Sequence, residues 1–568
     1  MSSESVRSLR SRAWFSGPEY YHFARRAWLR SEGFNREIFD GKPVIGICNS
    51  WSELNNCNMN LRDVAEAVKR GVWQAGGVPL EFPTISLGEM LMKPTAMLFR
   101  NLMAMDVEES IRAYPLDGVV LLCGCDKTTP AQLMGAASAD IPSLVVTTGP
   151  MLAGNWRGQT LGSGTDGRKL FEQWRSGRIG EEELNEIEGC IARTAGHCTV
   201  MGTASTMACI AEAVGMTLPG CAAIPACDSR RMGLAEASGQ RVVRMVAEDL
   251  RPSRIMTREA LENAVTALMA LGGSTNAVIH LLAIAGRLGV PLGLGDFDRI
   301  SRQTPCLADL KPSGRFVMED FFNAGGLPAL LRNILPQLHS GSITANGRTL
   351  GENIGNAVCY DEEVIRPLDR ALQEEGGIAV LGGNLCPDGA VIKQSAASPE
   401  LMQHTGRAWV FENHEQMIAD LDREDLPVDR NSILVLKNAG PKGGPGFPEW
   451  GWMPMPKALL KAGVKDVVRI SDARMSGTSF GTVVLHVAPE SAIGGPLSLV
   501  RTGDEISLDV ENRRVDLNIP SEEWQRRVAQ FTPPASHYTR GYGRLFLDHV
   551  LQANEGCDFD FLRAQPRS

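Results

Sequence analysis

Between residues 43 and 147 short β-type apolar runs alternate with longer amphipathic ones, and that alternation leaves few architectures open. Pro43-Val-Ile-Gly-Ile-Cys48 reads as a strand, and residues 60–73 as an amphipathic helix closed by Gly76 and Gly77. Val78-Pro-Leu-Glu-Phe82 follows as a strand, residues 94–114 as a helix, and residues 119–122 and 143–147 as further strands. Repeated β-α units predict a mostly parallel sheet covered by helices. Residues 181–292 read as strongly helical, clearest over 199–216 and 258–288, with glycine-rich turns between the runs. Beyond Gly376 the texture changes to short β runs, and residues 510–515 look like a hairpin turn, which suggests a barrel or sandwich. A chain of 568 residues exceeds one ordinary core. The expected fold is therefore α/β, with an N-terminal mostly parallel sheet flanked by helices over residues 1–375 and a C-terminal β-barrel-like domain over 376–568.

The stretch Cys123-Gly-Cys-Asp-Lys-Thr-Thr-Pro130 falls between a strand and a helix start, so Cys125, Asp126 and Lys127 sit at the carboxyl end of a strand, where open α/β sheets collect ligands. The structural alternative is a buried cysteine, a capping aspartate and a solvated lysine. Of 13 cysteines, Cys57, Cys125 and Cys198 stand in unusually polar surroundings at element ends. Brought together, they would make a trigonal thiolate set suited to an iron–sulfur cluster with one iron left open. Unrelated core cysteines or a structural zinc site are the alternatives, although no paired Cys-x2-Cys spacing announces zinc. Glu89 and Asp126 are hard carboxylates of the kind that bind Mg²⁺; a surface Glu89 is the plainer outcome. The glycine-rich Asn438-Ala-Gly-Pro-Lys-Gly-Gly-Pro-Gly446 lacks the Gly-Lys-Ser/Thr ending of a phosphate loop, and Glu449 just beyond it could supply a further metal oxygen. Ser476 lies in Ser471-Asp-Ala-Arg-Met-Ser-Gly-Thr478 without a nucleophile elbow or a neighbouring histidine. If it is catalytic, something other than a histidine must lower its pKa, and a metal or cluster could do so.

The 57 basic and 66 acidic residues leave a net charge of -9 with no Lys/Arg block, which speaks against nucleic acid or anionic membrane as partner. A small anionic substrate would then need a local positive site. Residues 1–7 carry no apolar core like that of a signal peptide, and no stretch approaches a membrane span, so a cytoplasmic protein is expected.

Cys125-Asp-Lys-Thr-Thr-Pro-Ala-Gln-Leu-Met-Gly135, Leu271-Gly-Gly-Ser-Thr-Asn-Ala277, Gly383-Asn-Leu-Cys-Pro-Asp-Gly389, Gly440-Pro-Lys-Gly-Gly-Pro-Gly446 and Asp472-Ala-Arg-Met-Ser-Gly477 together resemble the dihydroxy-acid and 6-phosphogluconate dehydratase family, in motifs spanning residues 48–486. The resemblance implies that Cys57, Cys125 and Cys198 hold a [2Fe-2S] cluster. It implies Mg²⁺ on Glu89, Asp126 and Glu449, with Lys127 binding it through a carbamate where carbamylated. Ser476 matches the proton acceptor, and homodimers or homotetramers are expected. Glu89 departs in detail, since branched-chain members place an aspartate earlier in the loop, where this chain has Leu87. The polar neighbourhoods of residues 48–57, 155–158 and 197–199 look like the sugar-acid branch, acting on pentonates or hexonates to give a 2-keto-3-deoxy acid. Branched-chain 2,3-dihydroxy acids, or both classes, are the alternative substrates. A non-catalytic iron–sulfur sensor is a third reading, and it predicts no base.

Overall fold

The computed structural model describes residues 9–564 except residue 537, so residues 1–7, on which the reading of no signal peptide rests, lie outside the described residues. Four strands, β1 (Val44–Asn49), β2 (Val78–Pro83), β3 (Gly118–Cys123) and β4 (Ser143–Thr147), form one sheet in the order β2-β1-β3-β4, parallel throughout. Every residue of β1, β3 and β4 is buried, as expected of apolar runs covered on both faces, whereas β2, at one edge, is buried only at its start and part-exposed beyond it. Between them run α1 (Leu61–Gln74), α2 (Arg100–Ala113) and α3 (Thr128–Ala139). The helix expected from residue 94 starts later. Thr95 caps a 3-10 turn, Ala96–Phe99, through its hydroxyl to the Met97 N–H, and α2 begins only at Arg100.

The helical middle supplies α4 (Thr165–Arg175), α5 (Thr203–Ala213), α6 (Ser229–Glu248), α7 (Arg258–Leu271) and α8 (Asn276–Leu288). The run expected over 258–288 is broken where Gly272 takes the left-handed conformation, φ 56°, that ends α7. α1 and α6 cross through two glycines. A Cβ on Gly71 would lie 1.9 Å from the Glu236 carbonyl oxygen, and one on Gly239 would lie 2.1 Å from that of Val68. Gly239→Ala must therefore part the helices, at about 1–3 kcal/mol for overpacking. The expected result is a lower melting temperature; an unchanged melt would contradict the close crossing.

Eight strands make the second sheet: β5 (Ala379–Leu381), β6 (Gly389–Ile392), β7 (Gln403–Phe411), β8 (Ile433–Leu436), β9 (Arg469–Ser471), β10 (Val483–Ala488), β11 (Glu505–Asp509) and β12 (Arg514–Asn518). Their order is β12-β11-β7-β8-β9-β10-β6-β5, and Gly382, next to β5, bridges Arg514 of β12, so the sheet nearly closes into a barrel. The centre, β7 to β10, is parallel, which the row of short strands did not specify. β11 and β12 form the expected hairpin around residues 510–513. The last segment returns to the first sheet's helices, where Arg287 of α8 holds Asp558 at 2.5 Å and Arg100 of α2 donates to the carbonyls of Gly556 and Cys557 at 2.8 Å. Among the described residues no helix is long and apolar enough to cross a membrane.

Candidate active site

Every singled-out residue lies on a loop that leaves the carboxyl end of a parallel strand or is tied to one, the edge where α/β sheets bind ligands. Cys57 sits in the turn Asn56–Asn58 after β1, Glu89 after β2, and the triplet Cys125-Asp126-Lys127 after β3. The loop carrying Cys198 is tied to the segment after β4, His197 N–H donating to Gly149 at 3.0 Å and Met151 N–H to His197 at 2.8 Å. It is also tied to the Cys57 turn, Gly196 N–H donating to Asn56 at 3.1 Å. From the barrel come Glu449, beyond the glycine-rich loop after β8, and Ser476, after β9.

The three thiols stand within each other's electrostatic reach. Cys57 is raised well above the ordinary thiol range, first by its hydrogen bond with Cys125, then by burial and by the charges of Cys125, Cys198 and Asp126. Burial pushes Cys198 up to about 11, with Cys125 and Asp126 adding to it and the Ser163 hydroxyl opposing. His197 beside it is pushed down to about 4 by burial, so it is neutral and no counter-ion to the thiols.

Next to the thiols lies a nest of carboxylates around one amine. Lys127 is completely buried, and its Nζ lies 2.7 Å from Asp126, 3.5 Å from Glu89 and 3.8 Å from Glu449. Burial works against the ammonium, yet Asp126, Glu89 and Glu449 together hold it above the ordinary lysine range. Burial also works against the Asp126 charge, and Lys127 outweighs it, so Asp126 is lowered. Glu89 goes the other way: burial, reinforced by Glu449 and Asp126, raises it despite Lys127. The Cys125 thiol lies 3.4 Å from Asp126 Oδ1, so the two groups share a border. Among the described residues no three His, Cys, Asp or Glu side chains are arranged so that they could hold a metal ion, the three cysteines and the carboxylates of this nest included. Glu89 Oε2 is nonetheless a buried oxygen without a hydrogen-bond partner.

Three residues without an assigned role in the sequence reading hold this nest in shape. Arg474, fully buried, pairs with Glu449 Oε1 at 3.1 Å and donates to Thr95 Oγ1 at 3.2 Å. Thr95 in turn donates to Glu89 at 2.7 Å. Asn276 donates to Glu449 Oε1 and to the Met475 carbonyl, both at 3.2 Å, so it links Glu449 to the Ser476 loop. Arg474 and Asn276 were present in the motifs Asp472–Gly477 and Leu271–Ala277, but nothing in their spacing set them apart from core residues. A Cβ on Gly477 would meet the Thr203 nitrogen at 2.5 Å, which is why a glycine follows Ser476 there.

The amino ends of α3, α4, α5 and α8 converge here through Lys127, Thr165, Thr203 and Asn276. Four helix ends supply the partial positive charge that an acidic chain needs to attract an anion. The stretch 155–158 is not brought to this place. Asn155 and Arg157 are exposed, and Arg157 pairs with Glu183 and Glu186.

Over residues 42–353 the chain matches the Dihydroxy-acid/6-phosphogluconate dehydratase N-terminal family, and over 363–557 the corresponding C-terminal family. It is a dehydratase by class, a hydro-lyase, and it belongs to the dihydroxy-acid/6-phosphogluconate dehydratase family. An L-arabonate dehydratase of Azospirillum brasilense is 56% identical over 98% of this chain and 97% of its own length. A 6-deoxy-6-sulfo-D-gluconate dehydratase of Pseudomonas putida is 49% identical over 99% and 97%. A dihydroxy-acid dehydratase of Nocardioides sp. is more distant, 41% identical over 94% and 95%.

Proposed function

We propose that this protein dehydrates a sugar acid, an aldonate of the pentonate or hexonate class, to its 2-keto-3-deoxy acid. The observation that carries the reading is the shared border at Cys125-Asp126-Lys127, where a soft thiol set meets a hard carboxylate set with Ser476 on the adjoining loop. The donor chemistry fits two groups. Cys57, Cys125 and Cys198 would hold a [2Fe-2S] cluster, and Glu89, Asp126 and Glu449, with Lys127 as a carbamate, would hold Mg²⁺. Glu89 Oε2, buried without a hydrogen bond and facing the Lys127 ammonium at 3.5 Å, is an oxygen that such a cation would engage. When bound, the two groups supply Lewis acidity, one at the substrate carboxylate and C2 hydroxyl, the other at the C3 hydroxyl.

The chain's own groups do the rest. Ser476 Oγ, as the alkoxide, takes the C2 proton; the C3 hydroxyl departs as water on receiving one proton in return, which restores the alkoxide, and the enol tautomerises to the keto acid. Arg474 and Asn276 keep Glu449 in place, and the four helix ends draw the carboxylate in. The reading further takes the enzyme to be cytoplasmic, which cell fractionation checks, and a homodimer or homotetramer, which sedimentation of the purified protein checks.

The decisive experiment is release of 2-keto acid under anaerobic conditions with Mg²⁺ from a panel of pentonates, hexonates and 2,3-dihydroxyisovalerate. Aldonates should exceed the branched-chain acid by about 10²-fold or more in kcat/KM, since a site built for hydroxyl groups rejects an apolar analogue. The reverse order would return the branched-chain reading, and no product at all would point to the sensor. A colourless yet active preparation would remove the cluster.

A further inference from the structure

Ser476 Oγ lies 3.0 Å from Thr478 Oγ1 and receives the Thr478 backbone N–H at 3.4 Å. Arg168, within the first turn of α4, donates Nη1 to the same threonine hydroxyl and, at 3.3 Å, to the Gly164 carbonyl. Thr165 fixes the other side of Thr478, its hydroxyl donating to the Thr478 carbonyl at 2.8 Å. The guanidinium carbon lies 5.4 Å from the centre of the Trp452 ring. This is an unfavourable place for a cation on two counts. The first turn of a helix repels positive charge, and burial works against the guanidinium, with the charges of Glu449, Cys198 and Glu172 opposing both.

A guanidinium only donates hydrogen bonds. Its donation polarises the Thr478 hydroxyl into a stronger donor and a poorer acceptor, which directs the Thr478 proton at Ser476 Oγ. Ser476 Oγ thereby accepts two hydrogen bonds, an arrangement that favours the alkoxide over the neutral hydroxyl. We infer that Arg168 is a positioning residue for the base: acting through Thr478, it stabilises the Ser476 alkoxide and aims its free lone pair at the substrate. The inference rests on Ser476 being the base in the reading above.

The test compares Arg168→Met, Arg168→Lys and Ser476→Ala holoenzymes on the aldonate that the wild type turns over best. It follows kcat and KM against pH, the iron content, and the thermal melt. Arg168→Met should lower kcat about 100-fold, the scale on which misplacing a reacting group acts, with KM little changed. The acid limb of its kcat profile should move up by about one pH unit, because a base that has lost a nearby cation holds its proton to higher pH. Iron content and melt should stay those of the wild type, and Arg168→Lys should restore part of both kcat and the limb. A wild-type kcat and pH profile in Arg168→Met overturns the inference. So does a loss confined to KM with the profile unmoved, which would make Arg168 a substrate contact. Should the methionine variant melt early, Arg168→Gln takes its place under the same two outcomes. Retained activity in Ser476→Ala would instead remove the underlying reading, whereas an inactive Ser476→Ala beside a wild-type Arg168→Met removes only this inference.

Discussion

Ser476→Ala is expected to lower kcat by about 10³-fold or more, the upper part of the range for losing a positioned general base. The fold should tolerate the change. Ser476 is half-buried, and its side chain hydrogen-bonds the hydroxyl and the backbone N–H of Thr478, which keeps Arg168 as a partner. Loss of one such bond is worth about 1 kcal/mol, so the melt should move little. The iron content should not change, because the Ser476 hydroxyl bonds to Thr478 rather than to a thiol. The loss should appear in kcat rather than KM, since the C2 proton moves only in the transition state. Near-normal turnover with intact colour would take Ser476 out of the chemistry and leave the proton to another group in the nest.

The layout of this site was legible to different depths. Strand and helix alternation over residues 43–147 gave the parallel sheet, because β1, β3 and β4 are apolar on both faces and leave no other period to read. It also gave the site's edge, since Cys125-Asp126-Lys127 follows β3 directly. What joined this edge to the barrel was not legible. Glu449 and Ser476 are more than 300 residues beyond Lys127, and the side chains that connect them, Arg474, Asn276 and Thr95, act through tertiary hydrogen bonds that leave no periodic trace. Polarity misled in part. Several polar residues of 48–58 hold loops together rather than face a sugar: Asn49 donates to Glu81 at 2.7 Å, Ser50 to the Leu122 carbonyl at 2.8 Å, and Asn55 to Ser86 at 3.1 Å. Loops packed inside a protein must find partners for their polar groups, so polar composition alone does not distinguish a binding wall from a brace.

Lys127→Arg is expected to give a stable but inactive protein, and Lys127→Met an inactive and less stable one. Asp126, Glu89 and Glu449 face two cations, Lys127 and Arg474, which leaves the nest one net negative charge. A carbamate on Lys127 together with a divalent cation leaves the same net charge, so the two states are electrostatically interchangeable. The helix favours the second state, because Lys127 is the N-cap of α3, where an ammonium opposes the macrodipole and a carbamate complements it. Carbamylation joins the neutral amine nitrogen to CO2 and releases a proton. The three carboxylates hold the amine protonated, so CO2 should add only when a cation replaces that proton's charge. An arginine keeps the positive charge and the fold but stays protonated and forms no carbamate. A methionine leaves three half-buried carboxylates short of a partner, which costs less than the about 3–5 kcal/mol of breaking a fully buried ion pair but still lowers the melt. Intact mass of the wild type with Mg²⁺ and bicarbonate, against CO2-free buffer and a chelator, should show one added CO2 in the first case alone, with activity following it. If Lys127→Arg turns over substrate at the wild-type rate, the amine is an ion-pair partner and nothing more, and the Mg²⁺ site must be built from the three carboxylates without it.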